Sequence, residues 1–143
     1  DSQSAAAFGG LARAHIALGD LDQAEAVLNG APAEITDAPE IEAAFAQLEL
    51  ARQAENAGPV TELLAAVTAN PDDNQARFDL AQAQYAADDA EAAVNTLLDL
   101  FRRDREWNDG AAKTQLFTIF EALKPNDTVV LNGRRKLSSM IFV

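Results

Sequence analysis

The sequence predicts an all-α protein built as a stack of antiparallel helix pairs, about eight helices in all. Three observations carry that prediction. Hydrophobic residues make up 48% of the chain but aromatics only 6%, and alanine dominates the class. Alanine is the best helix former and lets neighbouring helices approach closely. Apolar residues recur at helical spacing in runs separated by breaks at Gly19-Asp20, Gly58-Pro59, Asn70-Pro71-Asp72-Asp73 and Asp88-Asp89. The run LARAHIALGDLDQAEAVL also returns 69 residues later as LAQAQYAADDAEAAVNTL. The overlay matches Leu11 with Leu80, Ala12 with Ala81, Ala24 with Ala93 and Leu28 with Leu97.

That offset is close to twice the period of about 34 residues that marks tetratricopeptide repeats. The chain divides accordingly into repeats over residues 5–36, 37–71 and 72–104, followed by a capping helix pair over 107–143. In the first repeat Phe8, Leu11, Ala12 and His15 on one helix, with Ala24 and Leu28 on the next, are expected to pack. The third repeat keeps Leu80, Ala81, Ala93 and Leu97 but sets Arg77 and Gln84 at the two aromatic places. In the middle repeat the long helix APEIEAAFAQLELARQAENA ends at Gly58-Pro59, and Pro59 suits the first turn of the following helix, which needs no N–H there. Asn108-Asp109-Gly110 reads as a cap before AAKTQLFTIFEAL, and Trp107 as a hydrophobic staple folding back on that helix. Asp127 is expected to cap the last helix, on which Val130, Gly133, Leu137 and Met140 or Ile141 share one face.

Charge is unevenly spread. Residues 1–101 hold 18 acidic and 3 basic groups, whereas residues 102–143 hold 5 and 8. The acidic part repels phosphate backbones, which argues against nucleic-acid binding. The arginines of RRDREW are expected to complement carboxylates and helix carboxyl ends of their own domain, with acid on a partner as the alternative. There is no cysteine, which excludes disulfides and thiol chemistry and suits a reducing compartment. No run is long and apolar enough to span a bilayer, so no membrane role is expected. The chain begins at Asp1 and is read as a fragment of a longer protein.

A search for chemistry leaves binding as the functional class. His15 is the only histidine and falls at a packing position. Glu40 with Glu42, and Asp72 with Asp73, read as solvated helix starts, and Gly9-Gly10 as a relaxed helix start. No catalytic residue, metal or cofactor is expected. The inner face of such a stack is lined mainly by first helices, which places Arg13, Ile16, Phe78, Gln82 and Tyr85 in a candidate protein-binding groove. None is Lys or Asn, so a carboxylate clamp is not expected. An apolar, adaptable groove for extended or unfolded segments suits them better, the alternative being that Phe78 and Tyr85 are ordinary core. The terminal KLSSMIFV, with Leu137, Met140, Ile141 and Phe142, either covers the open end of the stack or docks on a partner.

The succession RRDREWNDGAAK, LF, FEAL, ND and GRRKLSSMIF resembles the carboxyl-terminal region of the bacterial thioredoxin-like proteins with tetratricopeptide repeats, the chaperedoxins of the YbbN or CnoX type. The resemblance is strongest over residues 70–143. It implies a cytoplasmic co-chaperone that holds unfolding clients and passes them to GroEL-type chaperonins or DnaK-type chaperones. It also implies an amino-terminal thioredoxin-like domain that this chain lacks, since no Trp-Cys-x-x-Cys motif is present. The alternative function is a structural scaffold or oligomerisation module for that domain.

Overall fold

The computed structural model describes residues 4–141. The helices are α1 (Ala5–Ala17), α2 (Leu21–Asn29), α3 (Pro39–Glu55), α4 (Val60–Ala69), α5 (Asn74–Ala86), α6 (Ala90–Arg103), α7 (Ala111–Ala122) and α8 (Thr128–Ile141). Short 3-10 turns cover Ala33–Ile35 and Trp107–Asp109. No strand occurs among the described residues.

Helix starts follow from local chemistry. The side chains of Ser4, Asp73, Asp89 and Asp127 accept hydrogen bonds from the N–H groups of Ala7, Ala76, Ala92 and Val129 at 2.9 to 3.1 Å. Each satisfies a donor that the helix leaves unpaired, worth about 1 kcal/mol. Pro39 opens α3, and Pro59 immediately precedes α4, one residue ahead of the first turn expected for it. The start of α7 departs from expectation. Asn108 and Asp109 do not cap it; with Gly110 they run through the left-handed region at φ of 49°, 57° and 80°, and Gly110 is the cap residue without a side-chain bond. Asn and Asp suit these positions because they tolerate positive φ better than other side chains with a Cβ.

The packing is centred on α3. Helices α1 and α2 pack on each other and on α3, while α3 also packs on α5 and α7. Helix α4 lies against α5, burying Val67 with Ala76 and Leu80, and α6 carries α5, α7 and α8. Two faces of α3 therefore serve two cores. Ile41, Ala44 and Leu48 join Ala12, Leu21, Ala24 and Leu28. Ala46 and Leu50 join the larger core of Leu97, Leu100, Leu116, Phe120, Val130 and Leu137. Fully burying such a side chain stabilises by about 1.5 to 3 kcal/mol. Leu11 is a correction, because its side chain is 51% exposed while its neighbour Ala12 is fully buried. The small residue makes the helix contact and the large one points away from it.

Polar groups seat α7 on α3. Gln53 and Gln115 exchange a reciprocal pair of amide hydrogen bonds at 3.1 and 2.7 Å. Gln47 Nε2 donates to the Ala122 carbonyl at 2.8 Å, which satisfies an acceptor at the carboxyl end of α7.

Candidate protein-binding groove

The end of α7 falls between α1, α3 and α5 and leaves two adjoining hollows, of about 570 Å³ and about 360 Å³. Gln47, Ala122 and Leu123 belong to the walls of both. Arg13 lines the larger hollow with Glu40, Lys124 and Arg134, over a floor that includes Ala43 and Phe120. Ile16 and Tyr85 line the smaller one with Leu50, Ala51 and Leu123. One end of the groove is thus charged with both signs and the other is apolar. Burial pushes the Tyr85 phenol above its ordinary pKa, and the nearby Asp88 and Asp127 carboxylates push the same way. The phenol is therefore neutral at physiological pH, and the apolar end carries no charge from it.

Three of the five expected groove residues, Arg13, Ile16 and Tyr85, face this one concavity. Phe78 does not join them. Its ring meets Trp107 with centroids 5.6 Å apart and planes tilted by 52°, and both rings pack against the larger core. Gln82 is half-buried on α5. Trp107 accordingly reaches back to α5 through the Phe78 ring, while its turn also contacts α7, the helix that its position suggests it would staple. Sequence reasoning missed Gln47, Leu50 and Leu123, because their place in the groove depends on α7 lying against α3, a contact between segments distant in sequence.

The arginines around Trp107 serve a joint. Arg77 is buried and donates to Asp99 at 2.6 Å and to the Pro71 carbonyl at 2.8 Å. Arg103 Nε donates to Asp99 at 3.2 Å, and Arg102 lies 3.6 Å from the same carboxylate. Arg105 sits over the Phe101 ring at 5.0 Å and donates to the Met140 carbonyl at 3.2 Å, at the negative end of α8. Thr96 donates to Gln84 at 2.6 Å. Polar ties thus occupy both places where the repeat pattern expects an aromatic. Leu137 is buried, and Met140 and Ile141 are partly buried against the larger core; Phe142 lies outside the described residues.

His15 places its Nδ1 3.9 Å from the Asp20 carboxylate. No group of three or more potential metal ligands occurs among the described residues. None of the described helices is long and apolar enough to cross a membrane.

Comparison with known proteins gives the architecture a family. One form of the tetratricopeptide repeat matches residues 53–142 and a second matches residues 1–48. Uncharacterized proteins of Mycobacterium tuberculosis strain H37Rv and of Mycobacterium bovis are 29% identical over 118 residues, 82% of this chain. The chain spans only 37% of the length of these relatives. A crystal structure of a domain of a Vibrio parahaemolyticus protein of unknown function superposes with a TM-score of 0.50 at 24% identity, over 93% of this chain and 77% of that one. At that identity the likeness speaks for the fold.

Proposed function

From the premise that the chain belongs to the tetratricopeptide repeat family, we propose that it is the client-holding domain of a thioredoxin-linked co-chaperone. Repeats of this kind present concave surfaces to protein partners. The observation that carries the reading is the groove whose apolar end gathers Ile16, Leu50, Tyr85 and Leu123 from four separate parts of the chain. Such a surface suits extended apolar segments, which gain by leaving water and require no particular side-chain pattern. Clients held there pass to GroEL-type chaperonins or DnaK-type chaperones in the cytoplasm, and the domain itself performs no catalysis. An amino-terminal thioredoxin-like domain outside this chain carries any redox chemistry. The resemblance of residues 70–143 to chaperedoxins supports these finer points.

The test is light scattering from a heat-labile enzyme as it unfolds with and without the domain. Wild type should delay aggregation, and Ile16→Asp combined with Leu123→Asp should abolish the delay while circular dichroism stays native. Adding a GroEL-type chaperonin and ATP afterwards should restore enzyme activity only from the wild-type mixture. No delay by wild type, or equal protection by the groove variant, overturns the reading and favours the scaffold alternative.

A further inference from the structure

A second surface lies on the other side of the contact between α3 and α7. Phe45 and Phe117 remain 38% and 39% exposed there and line a furrow of about 430 Å³ floored by Ala46. Glu42 and Glu49 on α3, and Glu121 on α7, form its rim, with Thr114 and Thr118 between them. Helix α3 turns Ala43 and Gln47 toward the groove already described and Phe45 and Glu49 toward this furrow; Glu42 and Glu121 touch both. The Phe117 ring is held from behind by an edge-on contact with Phe120, centroids 6.3 Å apart, so its exposed part is supported by the core.

The rim charges have no cationic counterpart. Among the described residues none of Glu42, Glu49 and Glu121 makes a salt bridge, whereas Asp22 and Glu25 share Arg52, and Asp99 takes Arg77, Arg102 and Arg103. One cation does reach the furrow's edge: Lys113 Nζ lies 5.8 Å from the centroid of Phe117. That contact shows how a cationic side chain seats on this aromatic surface. Phe45 offers an aromatic surface on the opposite wall.

We infer that the furrow between α3 and α7 docks a helical segment of a partner protein whose apolar face is flanked by Lys or Arg. Two helix ridges with an apolar floor accept an amphipathic helix by its buried face. Three carboxylates without an ion pair among the described residues select cationic flanks and repel acidic ones. The furrow adjoins the client groove, sharing Glu42 and Glu121 with it, but its occupant differs: a specific cationic helix rather than any unfolded apolar chain.

A fluorescent Lys/Leu amphipathic helix peptide, with a Glu/Leu counterpart of the same pattern, tests this on the whole chain by anisotropy. The Lys peptide should bind, and Glu49→Lys with Glu121→Lys should weaken it by about tenfold or more. Glu34→Lys with Glu62→Lys makes the same change in net charge at exposed sites away from the furrow and should weaken it by less than about threefold. Phe45→Ser should also weaken binding in a protein whose circular dichroism is native. Equal losses in the two charge-reversal variants would reduce the effect to net charge and overturn the proposal, as would equal binding of the Glu peptide. Self-association in sedimentation that the furrow reversal removes would overturn it in favour of a second copy as occupant.

Discussion

A Cβ placed on Gly133 would lie 2.7 Å from Cε1 of Phe120 and 3.1 Å from Cγ1 of Val94, and both side chains are buried. One on Gly10 would meet nothing within 4 Å. Both glycines are helical, and in both places alanine gains about 1 kcal/mol of helix propensity. At Gly133 that gain is outweighed, because a methyl group forced into filled space costs about 1 to 3 kcal/mol. Gly133→Ala should therefore lower stability by about 1 kcal/mol net, and Gly10→Ala should raise it by up to about 1 kcal/mol. Urea unfolding followed by circular dichroism reads both, and stabilisation by both changes would show that α8 does not depend on close approach. The sequence marks Gly133 as a close-approach site by its place on the apolar face of α8. It gives no such signal for Gly9, whose added Cβ would stand 2.9 Å from the Glu40 carbonyl oxygen, since Gly9 and Gly10 look alike until α3 is laid against α1.

At the scale of elements, the helices and their buried faces are legible in the sequence, and their partners much less so. Periodicity identifies Val130, Gly133 and Leu137 as one face of α8, and all three are buried. It does not say that this face meets α6, or that α7 turns to α3. On α3, Ile41, Ala44 and Leu48 form one stripe and Ala46 and Leu50 another, a helix with two clients that a single amphipathic pattern does not describe. Arg77 marks a second boundary of legibility. Its charge at an aromatic place signals a degenerate repeat, yet it is buried in an ion pair that joins α5 to α6. Asp99 is the more heavily committed partner, since it also takes Arg102 and Arg103. Removing Asp99 leaves a buried guanidinium uncompensated, whereas Arg77→Met removes the buried charge and leaves Asp99 paired at the surface. Asp99→Ala should therefore cost about 3 kcal/mol and Arg77→Met about 1 kcal/mol. The difference in urea midpoints reads this asymmetry, and equal costs would mean that the carboxylate is not what makes the guanidinium tolerable inside.

For the whole molecule, the division of α3 between two cores sets the order in which the structure opens. Among the described residues, helices α1 and α2 bury their apolar faces mainly against each other and the first stripe of α3. By contrast, α6 and α7 belong to a core fed by five helices, α3, α5, α6, α7 and α8. In stacked repeats stability is close to a sum of local terms and contacts with neighbours, so a unit with neighbours on one side only opens at lower free energy. Amide hydrogen exchange should therefore show α1 and α2, and α4 on its main partner α5, losing protection before α6 and α7, which exchange at the free energy of global unfolding. Leu28→Ala, in the smaller core, removes a fully buried side chain at a cost of about 3 kcal/mol. It should accelerate exchange in α1 and α2 by about a hundredfold while α6 and α7 change little, provided α3 keeps its second stripe in place. A uniform loss of protection across all eight helices would instead make α3 a rigid spine that couples both cores into one cooperative unit. The groove containing Ile16 would then open only on global unfolding. Under the expected outcome the groove wall supplied by α1 yields separately from α7, so local opening can widen the site for bulky or extended chains while the α3–α7 contact remains assembled.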